Sequence, residues 1–242
     1  MDKLRDPDRE NTAFIARNRD VVRRITVAPD LSGAPFVTAL CRSMGIQVSI
    51  GHDQSIDDEI YACIEAGATS VTHMSNCTSH ASRRYPSPKK HLGLFETALG
   101  ESRLVCEVIA DDRHVPDALF DIFYRLKGKD GICFVSDSLS VAGMKEGDYF
   151  LGSGESAQPI RIEDGVAVLP DKHTYAGSVT PVSKMVSRLF AKGYPAEDLL
   201  TMATLTPAKT VGLTDRGDLR PGMLADINLL DDKLNVVKTF MF

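Results

Sequence analysis

The chain has 242 residues, of which 43% are hydrophobic, and a formal net charge of −5, which is typical of a globular protein with a sizeable core. We find no basic face for a nucleic acid and no apolar run near the roughly 20 residues of a membrane helix. The charged first ten residues do not resemble a signal peptide, so we predict a cytoplasmic protein.

Cysteine usage agrees with a reducing compartment. The five cysteines form no Cys-x-x-Cys pair, and most lie in apolar surroundings, which predicts buried thiols and argues against a zinc–thiolate cluster. They are Cys41, Cys63, Cys77, Cys106 and Cys133.

Strand and helix patterns alternate through the first 135 residues, after a predicted turn at residues 6–8. Strands are predicted over residues 25–28, 46–50, 69–72, 104–110 and 132–135. Helices are predicted over residues 9–18, 35–44, 93–99, 116–126, 180–192 and 196–204, and between Ser55, as N-cap, and Gly67. This alternation is typical of a parallel sheet covered by helices.

The pattern changes in the last third of the chain. Residues 149–168 are Gly-rich and favour a hairpin, and residues 217–242 favour short strands with a turn at Pro221-Gly222. These segments predict a small sheet that packs on the main domain.

Two histidines follow neighbouring predicted strands. His52 follows strand 46–50, and His73 follows strand 69–72. The single helix between these strands predicts a right-handed βαβ unit, so both imidazoles lie at the carboxyl edge of one sheet. Neighbouring strands are about 4.8 Å apart, close enough for two imidazoles to bind one divalent metal. The alternative is two loop histidines without a role.

Two further side chains reach the same edge. Asp137 follows strand 132–135, and His114 follows strand 104–110. Asp137 is placed to take a proton from a metal-activated water and pass it to a leaving group, or else it caps the following turn. His114 donates to a substrate hydroxyl or carbonyl, or else is an exposed loop histidine.

The long loop after His73 carries candidate anion ligands. Asn76 and Cys77 begin it, where backbone N–H groups can face a phosphate. A basic cluster follows, and the alternative for it is a solvated loop. The cluster consists of Arg83, Arg84, Lys89, Lys90 and His91.

Together, these motifs resemble the N-acetylglucosamine-6-phosphate deacetylases of the amidohydrolase superfamily. The resemblance runs from about residue 25 to the end and rests on SIGHDQS (49–55), AGATSVTHMSN (66–76), VIADDRHV (108–115), FVSDSLSVAG (134–143) and GDLRPGMLADINLLD (217–231). It implies a (β/α)8 barrel with a small β-sandwich, and hydrolysis of N-acetylglucosamine 6-phosphate to glucosamine 6-phosphate and acetate.

The resemblance also implies roles for individual residues. His52 and His73 match the metal-ligand histidines, with zinc favoured and iron or another divalent ion as alternatives, and Asp137 matches the catalytic aspartate. His114 matches the histidine that contacts the sugar. The phosphate would bind at Asn76 and the Cys77 amide, and Lys90 or His91 would reach it from the neighbouring subunit of a homodimer.

The sequence also departs from the family pattern. Family members are longer at the N-terminus, where they carry a metal-binding glutamate and a carbonyl-polarising histidine, so we expect a shortened relative. Its predicted fold class is α/β, an incomplete TIM-like (β/α)8 barrel of about five parallel strands (residues 1–212) plus C-terminal strands of a small β-sandwich (residues 213–242). Residues 79–92 lack the family's usual Arg/His-Glu-Pro-Gly, which leaves the substrate open.

Two other functions therefore remain as alternatives. The first is another amidohydrolase activity, that of a deaminase or a cyclic-amide hydrolase. The second is a non-catalytic sugar-phosphate-binding or subunit-partner protein, which the missing ligands favour.

Overall fold

The structure, a computed structural model, describes residues 7, 9–81, 89–154, 157–171 and 174–241. The helices are α1 (Arg9–Arg17), α2 (Ala34–Ser43), α3 (Asp58–Glu65), α4 (Leu94–Gly100), α5 (Asp117–Lys127), α6 (Val182–Ala191), α7 (Ala196–Ala203) and α8 (Leu205–Thr210). The strands are β1 (Arg24–Val27), β2 (Gln47–Ile50), β3 (Ser70–Val71), β4 (Val105–Val108), β5 (Ile132–Phe134), β6 (Gly147–Leu151), β7 (Gln158–Glu163), β8 (Val166–Val168), β9 (Tyr175–Ser178), β10 (Ile227–Leu230) and β11 (Val236–Phe240).

Strands β1 to β5 form one parallel sheet in chain order. This arrangement confirms the five predicted parallel strands and places all their carboxyl ends on the same edge. The face toward the helices is apolar and almost fully buried, because alternate residues of each strand point to it. Its members include Val48, Ile50, Val71, Cys106, Val108, Ile132 and Phe134.

The opposite face of the sheet is polar. Arg24 in β1 and Glu107 in β4 form a buried ion pair. The Thr72 hydroxyl lies 2.9 Å from the Thr26 hydroxyl and donates to Ser49 Oγ at 2.7 Å. The three hydroxyl groups thus contact one another across the strands, while Arg24 Nε stays buried without a hydrogen-bond partner among the described residues.

The last third of the chain adds two antiparallel sheets. Strands β6 to β9 form one sheet, and β10 and β11 form a separate hairpin. The hairpin prediction for residues 149–168 therefore covered only part of a larger sheet. Pro221-Gly222 does form a turn, but the turn of the terminal hairpin lies at Asp231, which accepts the backbone N–H groups of Lys233 and Asn235 at 2.9 and 2.8 Å.

One helix cap was predicted wrongly. Helix α3 begins at Asp58, and the Ser55 hydroxyl hydrogen-bonds to Asp53 and does not cap the helix. Helix α8 was not predicted, because residues 205–210 contain a proline and two threonines, which are poor helix formers.

Within the described ranges, no helix is long and apolar enough to cross a membrane.

Candidate active site

His52 and His73 meet at the carboxyl edge of the parallel sheet. The strands before them, β2 and β3, are paired neighbours. The two Nε2 atoms are 2.6 Å apart, and the ring planes meet at 75°. Both residues have positive φ angles, 54° for His52 and 29° for His73, which turns the side chains toward each other at a cost in backbone strain.

The tautomer of His73 is set by its own loop. His73 Nδ1 lies 2.9 Å from the backbone carbonyl of Asn76, which can only accept a hydrogen bond, so Nδ1 carries the proton. The Nε2 lone pair therefore points toward His52. This is the arrangement in which a histidine binds a metal, with the other ring nitrogen donating to a carbonyl.

The environment also favours a neutral His52. Burial lowers the pKa of His52, and the neighbouring His73 lowers it further, while the carboxylates of Asp137 and Asp53 act in the opposite direction. A neutral imidazole keeps a lone pair for a metal. The two imidazoles thus fit two positions of a divalent-metal site, although no cluster of three or more His, Cys, Asp or Glu side chains suited to a metal occurs among the described residues.

Asp137 lies three residues after the end of β5, at the same edge of the sheet. Its φ of 48° is left-handed, and its backbone carbonyl accepts the Ser178 N–H at 3.0 Å. Its side chain is exposed, and its charge acts on His52. The structure therefore brings His52 and His73 into contact, and Asp137 follows β5 at the carboxyl edge of the same sheet.

His114 lies in the loop after β4 and is paired with Asp111. His114 Nδ1 is 2.8 Å from Asp111 Oδ2, and Asp111 Oδ1 accepts the backbone N–H groups of Arg113 and His114 at 2.9 and 2.8 Å. Burial tends to raise the pKa of Asp111, but these hydrogen bonds outweigh it and lower the pKa. Asp111 was not singled out from the sequence, although it is three residues before His114 on a tight loop.

The predicted phosphate corner lies directly after His73. The side-chain amide of Asn76 donates to the backbone carbonyls of His73 and Met74 at 3.3 and 3.4 Å, so it supports its own loop. Cys77 is exposed, with a φ of 48°.

The predicted basic cluster is described only in part. Lys90 is exposed, and His91 Nδ1 lies 2.6 Å from Asp57 Oδ2. Arg83 and Arg84 lie outside the described residues. The structure thus attaches His91 to the start of α3.

Two buried carboxylates that the sequence analysis missed support the histidines. Asp53 accepts the Ser79 N–H at 3.0 Å and the Ser79 hydroxyl at 2.6 Å, which ties the loop after His52 to the loop after His73. The Glu107 backbone carbonyl accepts the Met74 N–H at 2.7 Å, and its carboxylate accepts the backbone N–H of His73. Glu107 could have been found from the sequence, because it is a charged residue inside the apolar strand β4.

Comparison with known proteins gives a consistent picture. Residues 30–242 match the family model described as the amidohydrolase family. The chain is 28% identical to an N-acetylglucosamine-6-phosphate deacetylase of Lysinibacillus sphaericus, over 99% of this chain and 59% of that protein. It is 31% identical to the Bos taurus protein of that name, over 92% of this chain and 53% of the relative.

A solved structure is also similar. It is a mutant N-acetyl-D-glucosamine-6-phosphate deacetylase from Mycobacterium smegmatis in complex with N-acetyl-D-glucosamine-6-phosphate, with a TM-score of 0.85 and 28% identity, over 98% of this chain and 61% of that one. This likeness, with the five-stranded parallel sheet, confirms the predicted fold class. The chain spans between about half and three fifths of the length of these relatives.

Proposed function

This chain belongs to the amidohydrolase family, and on that premise we propose that it hydrolyses the N-acetyl group of N-acetylglucosamine 6-phosphate to glucosamine 6-phosphate and acetate. The observation that supports this most is the meeting of His52 and His73, with their Nε2 atoms 2.6 Å apart. Both imidazoles and a carboxylate at the carboxyl edge of a parallel sheet suit metal-assisted amide hydrolysis.

The family is in general dependent on a divalent metal. We infer that His52 and His73 would hold the ion through their Nε2 atoms, and that zinc is the best match to two neutral imidazoles. Such an ion supplies a water of lowered pKa and polarises the amide carbonyl.

Asp137 acts as general base and then as general acid in the reaction. Its exposed carboxylate accepts the proton of the water that attacks the acetyl carbon. As the C–N bond breaks, the same carboxyl group returns that proton to the amine nitrogen, which leaves as glucosamine 6-phosphate. The acetyl carbon keeps the water oxygen and leaves as acetate.

The remaining predicted residues bind the sugar phosphate. The phosphate lies against the loop of Asn76 and the Cys77 amide, and His114 contacts the sugar ring. Lys90 or His91 reaches the phosphate of the neighbouring subunit in a homodimer. Lys90 and Cys77 are both exposed, which supports the role of this loop in binding a phosphate from solvent.

A non-catalytic sugar-phosphate-binding protein is the second candidate. The small number of candidate metal ligands favours it, since the described ranges hold no group of three side chains suited to a metal. It would bind the same sugar phosphate without releasing acetate, so turnover separates the two functions.

The test is acetate release from N-acetylglucosamine 6-phosphate, with and without added zinc. The intact chain should turn over, and Asp137→Asn should lower kcat by at least about 100-fold while leaving substrate affinity largely unchanged. Asp130→Asn, an exposed aspartate before the amino end of β5, is the matched control and should keep full activity. Normal turnover by Asp137→Asn would show that the proton-transfer assignment is wrong.

A further inference from the structure

The aspartate beside His114 is held in one orientation by the backbone. Asp111 Oδ1 receives two backbone N–H groups, from Arg113 and His114, and Oδ2 receives the imidazole. The Ser178 hydroxyl also lies 3.5 Å from Oδ2. The side chains of Asp111 and His114 are only 1% and 3% exposed, so the pair has little room to rearrange.

This orientation decides which nitrogen of His114 carries the proton. The hydrogen bonds of Asp111 lower its pKa, so the carboxylate is ionised and can only accept. His114 Nδ1, 2.8 Å from Oδ2, therefore donates, so that the single proton of a neutral imidazole lies on Nδ1 and the lone pair lies on Nε2. Nε2 is buried and has no hydrogen-bond partner among the residues that the structure describes. A buried acceptor without a partner is costly, which points to a donor supplied by a ligand.

We propose that Asp111 is a positioning residue that fixes His114 as a hydrogen-bond acceptor, so that His114 Nε2 selects a sugar hydroxyl that donates to it. The inference rests on the proposed function for the identity of the sugar. It excludes the alternative in which neutral His114 donates to a substrate carbonyl. The dyad thus contributes to the choice of substrate and not to the proton transfer at Asp137.

A partly exposed aromatic side chain, Tyr175, lies against the His114 ring. Its ring packs on the His114 ring with centroids 4.8 Å apart, and it is 44% exposed, whereas Asp111 is fixed in place. Tyr175 comes from β9 in the antiparallel sheet, so this sheet reaches the edge of the parallel sheet that carries the histidines. A small rotation of a partly exposed tyrosine costs little compared with an unpaired buried nitrogen.

Asp111→Asn provides a sharp test, because the backbone dictates how the amide must lie. The Asn carbonyl oxygen has to face the two backbone N–H groups now bound by Oδ1, so its NH2 group has to face His114. An NH2 group only donates, which makes Nδ1 the acceptor and moves the imidazole proton to Nε2. The substitution keeps the shape of the pair and reverses the tautomer, as the corresponding change does in serine-protease triads.

The first measurement needs no activity. Imidazole ¹⁵N chemical shifts of the full chain, assigned by loss of the signal in His114→Gln, should show the neutral Nδ1–H tautomer in the native protein and the Nε2–H tautomer in Asp111→Asn. Asp112→Asn is the matched control, since Asp112 lies on the same loop and its carboxylate accepts the Asp117 N–H at 3.0 Å. It should leave the His114 signals unchanged. An imidazolium in the native protein, or an unchanged tautomer in Asp111→Asn, would overturn the inference.

The second measurement uses N-acetylglucosamine 6-phosphate and analogues that each lack one ring hydroxyl, at C1, C3 or C4. Asp111→Asn should lower kcat/KM for the full substrate by about 10- to 100-fold, and one analogue should lose this difference between native and variant enzyme. Equal losses on every analogue would contradict a hydroxyl contact at Nε2. If the native chain releases no acetate while the ¹⁵N result holds, the proposed function fails and the tautomer assignment stands.

Discussion

Buried carboxylates support the loops that carry the histidines of this protein. Asp53, Glu107 and Asp111 are each nearly excluded from water, and each accepts hydrogen bonds from the loop that carries or follows a histidine. Hydrogen bonds to an ionised acceptor are roughly twice as strong as those between neutral groups. They can therefore offset the strain of left-handed residues such as His52 and His73.

Glu107 should also contribute strongly to stability. Glu107→Gln leaves Arg24, whose side chain is 21% exposed, without its partner inside the sheet, and we expect the free energy of unfolding to fall by about 3 kcal/mol. Urea unfolding followed by circular dichroism measures it. The control is Glu65→Gln, which breaks an exposed pair with Arg103 and should cost less than about 1 kcal/mol. Equal losses in the two variants would argue against a structural role for the buried pair.

Metal binding is the second prediction at this scale. The native chain should bind a divalent ion, and zinc at about 100 times its Kd should raise the free energy of unfolding by about 2.7 kcal/mol. His52→Asn and His73→Asn should each weaken zinc binding, measured by calorimetry, by at least about 10-fold. His80→Asn, which removes an exposed histidine paired with Glu96, should bind as the native chain does. Equal affinity in all four proteins would place the metal elsewhere.

At the level of elements, the start of α3 is fastened to the basic loop. Asp57 Oδ1 accepts the Leu92 N–H at 2.8 Å, Asp57 N–H donates to the Leu92 carbonyl at 3.1 Å, and His91 bonds to Oδ2. Asp57 has a φ of 37°, an unusual value that these contacts support. Because α3 connects β2 and β3, the strands before His52 and His73, this contact links the basic loop to the histidine pair.

The same contact predicts a pH dependence. The hydrogen bond from His91 lowers the pKa of Asp57, against the effect of burial and with help from the Leu92 amide. The folded-state pKa then lies below the unfolded value of about 4, so the stabilisation is present above pH 4 and is lost as the pH falls through the folded-state pKa. Between pH 6 and pH 2, Asp57→Asn should lose less unfolding free energy than the native chain, with a deficit of about 1–2 kcal/mol at pH 6.

Thermal unfolding at a series of pH values tests this dependence. Asp58→Asn, which removes an exposed carboxylate from the first turn of the same helix, is the matched control. Parallel curves for the native chain and Asp57→Asn over this range would mean that the Asp57–His91 contact does not stabilise the fold.

At the scale of the whole molecule, the apolar core lies between the parallel sheet and its helices. Phe120 and Phe123 of α5, Met185 and Leu189 of α6 and Leu199 of α7 are fully buried there. The terminal hairpin differs, because Leu229, Val237 and Phe240 are exposed. The predicted domain boundary between residues 1–212 and residues 213–242 stays a prediction.

The proposed homodimer can be tested by complementation. If Lys90 serves the partner's site, chains with Asp137→Asn and chains with Lys90→Ala, each impaired alone at low substrate concentration, should recover about a quarter of the native activity when mixed and allowed to exchange subunits. Only the site that combines a native Asp137 with a native Lys90 from the other chain is complete. Sedimentation equilibrium should show a dimer. A monomer, or no recovery on mixing, would contradict the proposed role of Lys90.

Local sequence patterns were sufficient for the parallel sheet and for the edge that carries the candidate site. Hydrophobic periodicity predicted all five strands, and the short helix between Ser55 and Gly67 required β2 and β3 to run parallel, so His52 and His73 had to emerge on the same side. Those inferences depend on residues close together in the chain. The residues that carried the resemblance pointed to the same family that the whole-chain comparison shows.

Only the tertiary structure decided the contacts between distant segments. Asp53 meets Ser79 across 26 positions, Arg24 pairs with Glu107 across more than 80, and Asp111 lies near Ser178 of β9. No periodicity of a strand or helix encodes such pairs, because they depend on which loops the fold brings to one place. The chemical types of the site residues were therefore determined by the sequence, whereas their tautomers, supports and orientations were determined by packing.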